Sequence, residues 1–508
     1  MKIKRIYLFC GIERNKMIKF GWAETDITPK EKISLAGEFF ERVTNEVETS
    51  LTVTALAIEA NGEQSIFCSC DVVAISHELT EAVRDRLKNK DIKRESIVIT
   101  CIHCHNSYVY RRKGPYPKVV TDALEIIREN MIEGCEYVPQ EESTDCIQPD
   151  EAFEILADAI AATIDKAWEN RSVGGYAAGF GRAAIGMQRR VCYSDGTAKM
   201  WGDVDTATFT ELEAGNDSGI EMLFVYDEND KMTGVAINVA CPAQVMEQRS
   251  IISSDYFGKV KILLREKYGK DMMLLPICSA AGDQCPRDLI RWVQPETPIK
   301  DPNVIRNDPK RRDADPSMFD IKGTWKIGRR IMNEIDMALE EVTEIIKDAE
   351  HRHESRRLSL PLRRVTDKEK TESENKIRDF FKGKTVVDYM DSAELYVHTG
   401  TIQRHKTQEL YSTYNIEIHA IRLGSIAFVT NPFELFLYYG DQIRARSCAT
   451  QTFIAQLSNG DGGYLPTEKA EKAGHYSAYV SSGYVDHTAG DLLVSATLDM
   501  INGIFDGE

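Results

Sequence analysis

Two histidines spaced i, i+2, His103 and His105 in "SIVITCIHCHNS", are the residues whose type and spacing most invite chemistry. Side chains two apart on an extended strand project to one face, and imidazole is the commonest protein ligand for metals near neutral pH. On spacing alone, a metal-binding pair and two satisfied loop histidines stand level. Cys101 and Cys104 form a C-x-x-C around them. That motif signals redox chemistry when it opens a helix; here it spans a strand end, so packing is expected. "AAGDQCPRD" follows a buried strand with a small-residue loop that could offer backbone N–H groups and the Cys285 thiol to a substrate, although a plain turn is the simpler reading. "TNPFELF" puts Glu434 directly after a strand and a proline. A carboxylate there needs a cation, a donor or solvent to offset desolvation; a metal is one such partner, and an exposed first-turn glutamate is the alternative.

The elements that must carry these residues read as strands alternating with helices. "LTVTALAIEA" alternates as a strand does, "QSIFCSCDVVAI" is almost continuously apolar, and "HELTEAVRDRLKNK" is an amphipathic helix. The pattern predicts an α/β fold: a largely parallel or mixed sheet covered by helices on both faces, with helical and loop insertions. Chemistry in such sheets gathers at the carboxyl ends of strands, where His103 and His105 fall. Further on, 111–150 reads largely as loop, "DEAFEILADAIAATIDKAWEN" as a helix, and "VGGYAAGFGRAAIGMQRRVCYSDG" as a glycine-rich stretch ending in a turn. "SGIEMLFVYDENDKMTGVAINVACPAQV" reads as a hairpin, 290–320 as an irregular excursion, and about 322–383 as charged and mainly helical.

Composition excludes several classes. The 508 residues are 42% hydrophobic and 28% charged, as in globular proteins, with a net charge of −17. Such acidity argues against nucleic acid, which needs a basic surface, and against anionic membranes. No transmembrane segment is expected, because no stretch approaches the ~20 apolar residues of a span. The twelve cysteines are scattered, several in apolar runs, which suits a reducing compartment. The N-terminal apolar patch is short and lacks a cleavage site. Residues 1–16 are therefore expected to be an extension, 17–508 the folded domain, and the location cytoplasmic. Oligomeric state has no signature here.

Taken together, these phrases resemble the neutral/alkaline non-lysosomal ceramidase family, specifically its N-terminal catalytic domain. "GWAETDITP" looks like that family's opening G-x-x-x-x-D-I-T-P, "CIHCHNS" like its T-H-T-H-S-G, and "MQRR" like its N-R segment. "SSDYFGK" resembles S-x-D-x-x-G, "AAGDQCPRD" resembles G-D-V-S-P-N, "NPFELF" stands for P-G-E, and "GGYLPTEKAEKAGHY" matches a Tyr-x₁₁-Tyr element. The order is kept from about residue 18 to the C-terminus. On this resemblance, no counterpart of the β-sandwich tail of true ceramidases is expected.

The resemblance implies a zinc-dependent hydrolase of N-acyl amide bonds acting on a small-molecule substrate. It assigns His103, Glu434 and Tyr464 as metal ligands, with His105, Arg189 and Tyr476 beside the metal orienting or stabilising the reacting amide. The family's second ligand histidine lies in A-x-H-P-T, whereas this chain has "VACPAQV". An ungapped match puts Pro242 there; Cys241, one residue earlier, is a capable zinc ligand, and Gln244 is a weaker substitute. Cys285 replaces the loop serine and could keep its polarity or supply a nucleophile. Alternatives are a hydrolase of a polar or glycan-type substrate on the same scaffold, a thiol enzyme using Cys241 or Cys285, and a binding homologue that has lost catalysis.

Overall fold

The computed structural model describes residues 17–38, 40–110, 123–139, 143–290, 292–293, 313–314, 320–388 and 395–506. The extension expected at 1–16, and most of the excursion expected at 290–320, lie outside the described residues.

Eight strands form the large sheet: β1 (Lys19–Asp26), β2 (Thr52–Ala60), β3 (Glu63–Cys70), β4 (Ile97–Cys101), β5 (Ser172–Arg182), β6 (Gly219–Asp227), β7 (Met232–Val239) and β8 (Met273–Cys278). Their spatial order is β8-β7-β6-β5-β1-β2-β3-β4. The two outer pairings, β8 with β7 and β3 with β4, are parallel; those between are antiparallel. Of the sequence alternatives, the mixed sheet is the one found. The expected hairpin is β6–β7, with its turn at "DEND". A second sheet comprises β9 (His351–Pro361), β10 (Thr413–Leu423), β11 (Ile426–Thr430) and β12 (Gln451–Ala455), in that order, with only β11 and β12 parallel.

Period-two alternation decides what each face meets. On β2, Val53, Ala55 and Ala57 join the cluster that includes Phe153 and Leu156 of the helix Pro149–Glu169 and Ile327 and Ile331 of the helix Asp320–Glu340. Leu56 and Ile58, pointing the other way, pack with Ile421, Phe428 and Phe453 of the second sheet; the rings of Phe67 and Phe428 are 4.9 Å apart. The second sheet's outer face is covered by the helices Leu437–Arg446 and His487–Phe505. The order is helix, sheet, sheet, helix. Helices cover one face of the large sheet, and the other sheet covers its second face. Strands apolar on both faces fit either cover, so sequence periodicity could not distinguish them.

Two segments depart from their sequence reading. The glycine-rich stretch is the central strand β5: a Cβ on Gly181 would lie 2.8 Å from Glu334, and one on Gly179 would lie 2.6 Å from the Phe224 ring and 3.3 Å from Ala338. Glycine here lets the crossing helix approach the sheet. Within the charged region at 322–383, helices Asp320–Glu340 and Asp367–Phe381 flank the strand β9. Its dense charge suits an edge strand.

His351 on β9 is buried, its Nε2 2.9 Å from Ser65 Oγ, and burial pushes its pKa down to about 4. A depressed histidine pKa means that the unfolded chain binds the proton more readily. The stability contribution is complete above about pH 6.5 and is lost as pH falls towards 4, by on the order of a few kcal/mol. Urea midpoints at pH 7 and pH 4.5 should differ more for the wild type than for His351→Gln. Equal differences would remove His351 as the cause.

Candidate metal centre

The loop after β4 is stitched to the segment after β7. Ala243 N–H donates to Ile102 O (3.1 Å) and His105 N–H to Ala243 O (3.1 Å). His103 has φ 55°, in the left-handed region that side chains rarely adopt. This turn, not strand pleating, brings the imidazoles together, with ring centres 4.9 Å apart and the two Nε2 atoms 3.3 Å apart. The same-face expectation thus has the right outcome by a different route. Cys101 and Cys104 are buried and form no disulfide; the Cys104 thiol donates to Ser253 O at 3.0 Å.

Glu434 and Tyr464 are register partners in a short parallel pair, Glu434–Leu435 with Tyr464–Leu465. The Gly282 loop crosses directly over this pair. Gly282 N–H donates to Leu435 O at 2.8 Å, and a Cβ there would lie 2.3 Å from Glu434 O. Asp283 pins the loop on both sides, accepting from Leu437 N–H (2.9 Å) and Gln188 Nε2 (2.7 Å). The "AAGDQCPRD" loop therefore builds the site's floor.

His103 Nε2 lies 3.4 Å from Glu434 Oε2. On the ring's other side, Nδ1 is 2.6 Å from Val73 O, which can only accept, so Nδ1 carries the proton. Burial pushes the His103 pKa down to about 4 and keeps the ring neutral at pH 7. Its Nε2 lone pair consequently faces a carboxylate oxygen. Two acceptors in this geometry fit a cation between them, and nitrogen with oxygen is a donor set that zinc accepts.

Arg189 is buried. Its Nη2 donates to Gly282 O (3.0 Å) and to the Tyr464 hydroxyl (3.3 Å), and its Nη1 to Gln244 Oε1 (3.4 Å). Tyr476 stacks edge-on to Tyr464, with ring centres 5.4 Å apart. Burial holds Tyr464 well above the usual phenol range and pushes Tyr476 up to about 12, so both stay protonated at neutral pH. The next residue is reached by Arg190, which donates to Tyr476 O (3.1 Å) and Ser477 Oγ (3.3 Å) and pairs with buried Glu213 at 2.9 Å. Left-handed backbone recurs around the centre, at Trp201 (58°), Asp255 (54°), His475 (73°) and Ser477 (72°). The Trp201 ring lies 6.0 Å from the Arg189 guanidinium, and the Asp255 carboxylate accepts from Met246 N–H at 2.9 Å.

His103, Glu434, Tyr464, Arg189 and Tyr476 thus converge, and His105 adjoins them. Cys241 does not join: among the described residues, the only three-donor set drawn from His, Cys, Asp and Glu within 4.8 Å is Glu38, His105 and Glu247. The Cys241 thiol instead faces Pro242 O at 3.6 Å, and burial raises its pKa far above that of a free thiol. Cys285 is likewise buried, its thiol 3.4 Å from Arg287 O and its pKa pushed up to about 12 by burial. Neither thiol has the electropositive, part-exposed setting that activates cysteine.

Sequence reasoning missed Glu38 and Glu247. Glu247 Oε2 lies 3.2 Å from His105 Nδ1 and accepts from Gln244 Nε2 at 3.0 Å. Burial alone would raise Glu247, but His105, Arg189 and Arg42 hold it below the usual range. Burial and the neighbouring Glu247 push Glu38 up to about 7. No spacing motif joins these acids, so only the folded chain could reveal them; the weak signal was an acid five residues after the "VACP" departure.

No helix among the described residues is long and apolar enough to cross a membrane. No family model matches the sequence, and no curated protein matches it. The fold is that of solved neutral ceramidases. The structure of neutral ceramidase from Pseudomonas aeruginosa superposes with a TM-score of 0.64 at 15% identity, covering 96% of this chain and 75% of that one. A ceramidase complexed with C2 gives a TM-score of 0.65 at 13% identity, with the same coverage.

Proposed function

We propose that this chain, folded as the neutral ceramidases are, is a zinc-dependent hydrolase that cleaves N-acyl amide bonds of a small-molecule substrate. The observation that carries this reading is the unprotonated His103 Nε2 facing Glu434 Oε2 at 3.4 Å, with His105 Nε2 3.3 Å away, and with Tyr464 in register with that glutamate. His103, Glu434 and Tyr464 would hold the metal. Zinc there would supply Lewis acidity towards water and towards a carbonyl.

The chain's own groups do the rest. Arg189, fixed by Gly282 O and Gln244, presents a permanent positive charge where an amide oxygen gains negative charge. Preorganised donors of this kind act without reorganising during the reaction. Tyr476, protonated at neutral pH, can donate a hydrogen bond to that oxygen or to the departing nitrogen. His105 packs beside His103 and limits its ring rotation. The buried thiols of Cys241 and Cys285 support neither a thiolate nucleophile nor a redox role.

The test is a panel of N-acyl amides and glycosides with purified full-length protein. Amide hydrolysis that stops on chelation, returns with zinc and survives iodoacetamide fits the proposal. Loss of activity on alkylation, or cleavage of glycosides alone, rejects it.

A further inference from the structure

We infer that Glu38, His105 and Glu247 form a second cation site, adjoining the first and suited to an oxygen-favouring divalent ion such as Mn2+. One donor atom from each lies within 4.8 Å of the others, on a half-buried wall. Two carboxylates and an imidazole leave open coordination positions, a donor set typical of Mn2+ and Fe2+ and unlike a thiolate zinc site. His105 Nδ1 is buried and lacks a hydrogen-bond partner of good geometry, although Glu247 Oε2 is only 3.2 Å away. A cation shared by the three residues satisfies that nitrogen and relieves the repulsion between the two acids.

The wall is built to hold this arrangement. Gln244 Nε2 donates to Glu247 Oε2 at 3.0 Å and fixes its rotamer, the kind of outer contact that orients metal ligands. Arg42 donates to His105 O (2.7 Å) and to the carbonyls of Ala36, Glu247 and Arg249, clamping all three ligand-bearing segments together. Gly37, at φ 95°, lies flush against the imidazole, and a Cβ there would be 2.6 Å from His105 Cγ. Glu247 comes from the segment whose family histidine is absent. The missing donor is thus answered by an acid five residues downstream, on the His105 side of the imidazole pair.

This inference does not require the first site to bind zinc, and one experiment separates the two. Mn2+ is titrated into metal-free full-length protein, and bound ion is read from the loss of the free-ion paramagnetic resonance signal. Wild type should bind two ions per chain. E38Q/E247Q should bind one, and H103A/E434Q should retain the one that E38Q/E247Q loses. Circular dichroism checks folding. If the double variant does not fold, E38Q alone should weaken one of the two binding steps at least tenfold. Stoichiometry unchanged in E38Q/E247Q, no affinity change in E38Q, or no Mn2+ bound by the wild type each overturns the inference. One ion that persists in H103A/E434Q but disappears in E38Q/E247Q upholds the second site and removes the first.

Discussion

His103→Ala and Glu434→Ala should each lose one equivalent of zinc per chain and at least ~10³ in kcat/KM for amide hydrolysis. The size follows from geometry. The unprotonated Nε2 of His103 and Oε2 of Glu434 face each other at 3.4 Å, and either alone leaves an incomplete ligand set. Both alanines remove buried or half-buried polar groups without enlarging a hydrophobic core, so the fold should survive. Zinc content by mass spectrometry on folded protein is the decisive readout. Unchanged zinc in both variants would sink the ligand assignment, whatever happened to activity.

Arg189→Ala should lower kcat by roughly 10²–10³ while zinc content holds, as loss of a preorganised oxyanion donor does. Arg189 touches Gly282 O, Gln244 and Tyr464, and none of these interactions needs a bound ion. Removing charged hydrogen bonds should also destabilise the fold by roughly 2–3 kcal/mol. Arg189→Lys keeps the charge but not the fork that reaches Gly282 and Gln244 together, so it should recover only part of kcat. The KM-against-kcat split distinguishes transition-state stabilisation from substrate positioning. Zinc lost together with activity would mean that Arg189 holds the centre together, and a kcat within threefold of wild type would remove its catalytic role.

Much of this was legible in the sequence because local chemistry and global fold agreed. The strand ending at Cys101, the proline before Glu434 and the loop at Gly282 each mark a backbone position where a side chain can leave the sheet for a crevice. The left-handed turn at His103 was not legible; a strand would have given the same expectation of a shared face. The second sheet escaped because β2, whose threonines alternate with apolar residues, buries both faces all the same, Leu56 and Ile58 against the second sheet, and periodicity does not say what covers a face. β5 escaped because its glycines gave the stretch no strand pattern, whereas they admit a helix; the turn expected at its end is present at Tyr193–Gly196. The Glu38–His105–Glu247 grouping depends on three segments that only tertiary structure joins. "VACPAQV" posed a question about sulfur, which the inferred second site answers with a carboxylate, Glu247.

The left-handed residues at His103, Trp201, Asp255, His475 and Ser477 carry a consequence for evolution in the laboratory. Each non-glycine side chain in that region costs about 1 kcal/mol that glycine would recover. At His103 and Asp255 the side chain that strains the backbone also makes hydrogen bonds, to Val73 O and from Met246 N–H, so glycine would exchange one cost for another. Positions that combine a strained backbone with a working side chain therefore tolerate neither glycine nor a bulkier residue, and a heat-tolerance screen should leave His103 and Asp255 unchanged.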